Sequence, residues 1–162
     1  QLEENICRVV ADVGKTVPAI TSAGALVRTL RGMGASKIAL VAPYKPELTS
    51  VVENYLSAEG FRIVRSISLS EPDNSKVAQL NESKLVDHIT LLGGEPVDAV
   101  IASACVQMPS LRALGVVASD FRVPVVSAAL CTAIEIASHL DLVRKDQVLS
   151  DVAKDLILGA NS

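Results

Sequence analysis

The sequence predicts an α/β protein whose parallel sheet is covered by helices on both faces. Three observations carry that expectation. Short apolar runs bounded by Gly, Pro or charge alternate with stretches of helical period along the whole chain. Roughly ten to twenty residues of helical pattern separate successive strand candidates, enough for the crossover that joins parallel neighbours. Apolar residues make up 49% of the 162, yet no run approaches the about eighteen needed to span a bilayer, so the hydrophobicity goes into buried strands. A chain of this length can bury a substantial core.

The elements follow in order. Leu2, Ile6, Val9, Val10 and Val13 fall near helical spacing, predicting a helix over 1–13 that stops at Gly14, with Cys7 on its buried side. Val17–Ile20 reads as a short strand. Thr21 or Ser22 caps a helix over 23–32, whose stripe is Leu26, Val27 and Leu30 and whose stop is Gly32 and Gly34. Lys37–Ala42 is a buried strand. Pro46 sits in the first turn of a helix over 46–59, with Leu48, Val51, Val52, Tyr55 and Leu56 on its apolar face. Phe61–Leu69 alternates apolar and polar residues, as a strand nearer the sheet edge does. A polar loop over 70–75 leads into a helix over 76–92, broken by Gly93-Gly94. Val97–Ala102 is the most strand-like segment of all, and a helix over 109–120 follows. Val123–Val126 is a strand, Ala128–Leu140 a helix, and Val148, Leu149, Val152, Leu156 and Ile157 suit a last amphipathic helix.

One internal echo bears on organisation. Val17-Pro18-Ala19-Ile20-Thr21-Ser22-Ala23 aligns with Val123-Pro124-Val125-Val126-Ser127-Ala128-Ala129, each a strand, a hydroxyl-bearing turn and a helix start. Read as a duplication, it divides the chain into the end of a first lobe (1–34), a second lobe (35–127) and C-terminal helices packing back on the first lobe (128–162).

Composition narrows the function classes. Net charge is −3 with acids and bases interspersed, and aromatics are 2%, so neither the cationic face nor the stacking platform of a nucleic-acid binder is present. Cys7, Cys105 and Cys131 are too few and too widely spaced for a disulfide framework or a C-x-x-C metal pair. His88 and His139 have no partner at metal spacing, so no metal is expected. Neither G-x-G-x-x-G nor a P-loop motif occurs. The N-terminus reads as helical and acidic rather than as a secretory signal, which makes the cytoplasm the expected location. Glu82, Lys84 and Asp87 read as a solvated helix face.

In parallel α/β folds ligands gather at the carboxyl ends of strands. There the best candidate is Ser103-Ala104-Cys105-Val106-Gln107-Met108-Pro109, a cysteine leaving a buried strand ahead of a helix start. Free amides and the positive end of a helix dipole stabilise a thiolate or bind a carboxylate at such a place. Position alone also suits a small cysteine packed at a strand end. Cys131, early in the helix after the last strand, reads as packing.

Four segments resemble maleate cis–trans isomerases of the aspartate/glutamate racemase superfamily, in the same order: Thr21-Ser22-Ala23-Gly24-Ala25-Leu26, Val41-Ala42-Pro43-Tyr44, Pro72-Asp73-Asn74 and Ser103–Leu111. Arylmalonate decarboxylases and aspartate/glutamate racemases share the architecture. The resemblance implies one complete flavodoxin-like lobe plus the end of a second, pseudo-symmetric one. It implies cofactor-free isomerisation of maleate to fumarate through a covalent cysteine adduct, with Cys105 as general acid and base. Tyr44 and Asn74 match substrate-binding positions, and Thr21, Ser22, Val106 and Thr132 are further candidates for backbone or hydroxyl contacts to a small dicarboxylate. Members commonly form homo-oligomers. No cysteine in this sequence matches the family's nucleophile in the first lobe, which leaves racemisation, decarboxylation or a truncated, non-catalytic module as alternatives.

Overall fold

The structure, a computed structural model, describes residues 2–14, 18–94, 96–117, 121 and 123–141. In chain order the elements are α1 (Leu2–Asp12), α2 (Ser22–Gly32), β1 (Lys37–Ala42), α3 (Pro46–Ala58), β2 (Arg62–Ser68), a 3-10 helix (Asn74–Gln79), α4 (Glu82–Gly93), β3 (Ala99–Ser103), α5 (Leu111–Val117), β4 (Val125–Ser127) and α6 (Ala128–His139). The strands form one sheet in the order β2-β1-β3-β4, and every neighbouring pair is parallel. That order matches the flavodoxin-like winding, and the expected α/β class with helices on both faces is what is found.

Two apolar clusters sandwich the sheet. Ala25, Leu26, Leu30, Leu56 and Cys131 from α2, α3 and α6 close over Ile38, Leu40 and Ile101 on one face. On the other, Val77, Leu85, Ile89, Leu92 and Leu114 from the 3-10 helix, α4 and α5 close over Ala39, Val41 and Val100. Strands β1 and β3 alternate between the two clusters, so both need apolar residues throughout, and β3 is buried at every position. At the far end of the sheet the Asp98 carboxylate accepts from the Ser36 and Lys37 amides (2.9 and 2.7 Å) and the Ser36 hydroxyl (2.9 Å), joining the starts of β1 and β3. These bonds, the Lys37 amide foremost, hold the Asp98 carboxyl below its ordinary range.

Several expectations shift. The single helix over 76–92 is two, because two Asx caps punctuate it. Asp73 accepts from the Ser75 amide at 2.9 Å and opens the 3-10 turn; Asn81 accepts from the Ser83 amide at 2.9 Å and opens α4. Leu80, extended at ψ 140°, parts them. Pro18–Ile20 forms no strand, and Val17 lies outside the described residues, as does the final helix expected around 148–157. Helix α5 begins at Leu111 rather than 109, and β4 at Val125 rather than 123.

Cys7 is half-buried rather than core. Helix α1 buries none of its residues, and Leu2, Val9 and Val13 are 63%, 66% and 72% exposed. The helix is tethered by a polar clasp instead: the Glu3 carboxylate accepts from the Thr21 amide (2.6 Å) and from both terminal nitrogens of Arg28 (2.7 and 3.1 Å). Arg28 Nε in turn donates to the buried Glu135 at 3.0 Å, tying α2 to α6.

Candidate active site

The site grows from the end of β3. Pairing with β4 runs Val100–Val125 and Ile101–Val126, then jumps to Ser103–Ser127, so Ala102 is an extra residue in the strand. Such a bulge re-aims the side chains that follow it. Directly after it the fully buried Ser103 folds its hydroxyl over the turn. The Cys105 amide donates to Ser103 Oγ at 3.1 Å, and Ser103 Oγ donates to the Cys105 carbonyl at 2.8 Å. The Ala104 amide donates across to the Val41 carbonyl at 3.1 Å, keeping the turn against β1. Cys105 itself is 6% exposed and packs in the cluster of the α4/α5 face with Met108 and Val41.

Tyr44 arrives from the neighbouring strand. It follows β1 by two residues and packs against both clusters, straddling the carboxyl edge of the sheet. Its carbonyl accepts from the Ser70 amide at 3.1 Å, the Thr49 hydroxyl at 3.4 Å and, closest, the Ser68 hydroxyl. Ser70 adopts a left-handed φ of 56° to make that return. Burial pushes the Tyr44 phenol well above the usual range, and the neighbouring Cys105 adds to the effect. Tyr44 therefore keeps its proton at neutral pH, and its hydroxyl can act as a hydrogen-bond donor.

The other sequence candidates are distributed along the same edge. Val106, next to Cys105, is 46% exposed. Asn74 is exposed at the start of the 3-10 helix that follows β2; Asp73, not Asn74, supplies the cap there. Thr21 caps α2 by accepting from the Gly24 amide at 3.0 Å, while its own amide and hydroxyl both donate to Glu3. Ser22 is half-buried at the first position of α2. The Thr132 hydroxyl donates to the Ala128 carbonyl one turn back in α6. The structure thus brings Cys105 and Tyr44 together, and it sets Cys131 in the cluster across the sheet from Cys105.

Among the described residues, three of the cavities around the sheet are well defined. One of about 300 Å³ runs along the carboxyl edge between Ser22, Leu26, Val52, Ala104 and Ala128. Others of about 390 and 520 Å³ lie at the Glu3–Arg28 clasp and between α4 and α5. None of these three is lined by Cys105, Tyr44 or Asn74. Among the described residues no cluster of His, Cys, Asp or Glu could hold a metal ion, and no helix is long and apolar enough to cross a membrane.

Sequence reasoning missed two residues at the site. Ser103 was visible only as part of a motif, although a serine two positions before a strand-end cysteine is placed for such a turn. Glu82, read as solvated, reaches from the first turn of α4 to accept from the Arg112 and Ala113 amides (2.6 and 3.2 Å). The first amides of α5 are thus occupied, and α5 starts six residues beyond Cys105. The helix end expected to steady the thiolate is taken by the Glu82 carboxylate.

Together these features define an α/β protein with a thiol and a phenol paired at the carboxyl edge of a parallel sheet. The sequence profile of arylmalonate decarboxylase matches residues 2–152. The maleate isomerase of Geobacillus stearothermophilus is 42% identical over 140 residues, covering 86% of this chain and 56% of the relative. A mutant of the Nocardia farcinica maleate cis–trans isomerase with a covalently bound succinylcysteine intermediate superposes with a TM-score of 0.82 at 36% identity, covering 86% of this chain and 57% of the other. A maleate isomerase of Pseudomonas putida with maleate gives 0.81 at 37%, covering 86% and 56%. The chain belongs to the maleate cis–trans isomerase family, in the aspartate/glutamate racemase superfamily and related to the arylmalonate decarboxylases. It spans a little over half the length of these relatives.

Proposed function

We infer that the protein takes part in cofactor-free isomerisation of maleate to fumarate, with Cys105 as the general acid and base. The observation that carries this reading is the Cys105 thiol, nearly buried beside the Tyr44 phenol at the carboxyl edge of the sheet, in a chain 42% identical to a maleate isomerase. A thiolate from the part of the relatives' length that this chain does not span adds to one alkene carbon of maleate. Cys105 gives its proton to the neighbouring carbon, and the product is a succinyl thioether. The bond between the two carbons is now single and rotates. Cys105 takes a proton back from the same carbon as the C–S bond breaks, and fumarate leaves with both thiols restored. Covalent addition replaces one high rotational barrier by smaller ones. The succinylcysteine in the Nocardia farcinica structure supports the adduct.

In this reading the Tyr44 hydroxyl and the Asn74 amide hold the two carboxylates, with Val106, Thr21, Ser22 and Thr132 as further contacts. The reading takes the enzyme as cytoplasmic and homo-oligomeric, with the small dicarboxylate as its ligand and no nucleic acid among its partners. The test is proton NMR of maleate incubated with the intact protein. Fumarate should accumulate, and Cys105→Ser should abolish it while the protein keeps its circular dichroism spectrum. An undiminished rate in that variant sinks the role of Cys105, and absence of turnover in the intact protein sinks the reaction. The match to the arylmalonate decarboxylase profile favours a second reading, decarboxylation or racemisation of a small dicarboxylate on the same scaffold. Release of CO₂ from a malonate, or deuterium exchange at the α-carbon of aspartate, separates these from isomerisation.

A further inference from the structure

We propose that Thr21, Gly24 and Arg28 form a carboxylate-binding site, that Glu3 is the internal carboxylate filling it, and that a small dicarboxylate competes with Glu3 and releases α1. The Glu3 carboxylate receives four hydrogen bonds. The Thr21 amide and hydroxyl donate to one oxygen at 2.6 and 2.8 Å. Arg28 donates from both terminal nitrogens, at 2.7 Å to the other oxygen and at 3.1 Å to the first. A guanidinium fork set against both oxygens recognises the shape of a carboxylate as well as its charge. The fork is aimed from behind, because Arg28 Nε donates at 3.0 Å to Glu135, a buried carboxylate on α6. Gly24 makes the room, since a methyl group there would overlap the Glu3 carboxylate. Thr21 caps α2, Gly24 and Arg28 lie on it, and Glu135 lies on α6, so the cradle is built without α1.

The ligand class follows from what surrounds the cradle. It opens into the cavity of about 390 Å³, where Ala23, Val27 and Tyr55 supply wall and Arg31 stands one helical turn beyond Arg28. Arg31 also carries a carboxylate of the protein itself, Glu59 at 2.7 Å, in a more exposed pair. Two guanidiniums one turn apart beside an apolar wall suit a short aliphatic chain with a carboxylate at each end. One end replaces Glu3 on Arg28 and Thr21, and the other reaches Arg31. Helix α1 buries none of its residues, so little packing opposes its release. Glu3 is tethered and therefore competes at a raised local concentration; its removal should tighten the binding of a free carboxylate.

The probe is succinate, a saturated dicarboxylate with no alkene to isomerise, titrated calorimetrically into the intact protein. Glu3→Ala should bind it at least about fivefold more tightly than the parent does. Adding Gly24→Ala to Glu3→Ala fills the space that the carboxylate vacated and should remove the gain. Arg28→Lys in the Glu3→Ala background keeps a charge for Glu135 and loses the fork, and should remove it as well. Cys105→Ser should leave the gain in place, since Cys105 does not line this cavity. In the parent, saturating succinate should speed amide hydrogen exchange in Leu2–Asp12 by at least about threefold.

Equal succinate affinity in the parent and Glu3→Ala overturns the proposal, and so does a gain that survives Gly24→Ala. Should the Gly24→Ala double variant fail to fold, Arg28→Lys decides in its place. Exchange in α1 that stays unchanged at saturation overturns the release of the helix. A gain that disappears in Cys105→Ser assigns the binding to the Cys105 edge and overturns a separate site. The titration needs no turnover, so absence of isomerase activity would refute the proposed function and leave this site to be decided by succinate.

Discussion

Replacing Glu3 by Gln tests how α1 is held, and the magnitude can be worked from the clasp. The Arg28 guanidinium above all, together with the Thr21 amide and hydroxyl, holds the Glu3 carboxyl at about 2, down from an ordinary 4.5. A depression of that size is equivalent to at most about 3 kcal/mol at neutral pH. Arg28 is 36% exposed and Glu3 23%, so solvent screening reduces the figure to about 1–2 kcal/mol. The carboxyl is depressed in the folded state, so its contribution is complete above about pH 4.5 and is lost as pH falls toward 2. Glu3→Gln should therefore be destabilised by about 1–2 kcal/mol at neutral pH and converge on the parent as the solution is acidified. Urea unfolding followed by circular dichroism at several pH values measures it. Gly24 supplies an internal check, since a methyl group there would overlap the Glu3 carboxylate. Alanine at that position gains about 1 kcal/mol of helix propensity. That methyl would also meet the Thr21 hydroxyl at 2.9 Å whatever stands at position 3, so Gly24→Ala should cost the parent more than it costs a Glu3→Ala protein. A stability difference between Glu3→Gln and parent that stays constant across pH would refute the clasp as an ion pair.

Two further substitutions have defined outcomes. The Thr29 hydroxyl is fully buried in α2 without a hydrogen-bond partner among the described residues, so the isosteric Thr29→Val should raise stability by about 1 kcal/mol, seen as a higher melting temperature. Asn74 is exposed and caps nothing, so Asn74→Ala should leave the melting temperature unchanged; if it holds a carboxylate, KM for maleate rises by about tenfold while kcat stays within about threefold.

The sheet was legible in the sequence because its strands are buried on both faces. Lys37–Ala42 stands out as an apolar run whatever its partners, and the alternation of Phe61–Leu69 announces the edge position that β2 occupies. Cys105 was legible from the family motif and from its place at a strand end. What periodicity misses is information carried between elements. The bulge at Ala102 depends on how β3 pairs with β4, and the contact of Tyr44 with Cys105 depends on β1 lying beside β3. The break at Leu80 was readable after all: Asp73-Asn74-Ser75 and Asn81-Glu82-Ser83 share one Asx-x-Ser pattern, and each starts a helix. Cys7 misled because an amphipathic period shows which face is apolar, not whether anything covers it.

Glu82 shows most clearly how a distant residue changes the chemistry expected at the site. A cysteine just before a helix invites the argument that the helix dipole stabilises its thiolate. Here the carboxylate of Glu82 sits on the first amides of α5, supplying negative charge where the dipole is positive, six residues past Cys105. The effect of a dipole falls off within the first turn. Glu82→Gln keeps an acceptor for the two amides and removes the charge, so it should unmask the helix end at a cost of less than about 1 kcal/mol. If the dipole acted on Cys105, that variant would change kcat/KM for maleate markedly. With the helix end occupied and remote from Cys105, kcat/KM should stay within about twofold of the parent, whereas Tyr44→Phe, at the proposed carboxylate contact, should lower it by at least about tenfold. A tenfold change in Glu82→Gln would return the helix end to the mechanism.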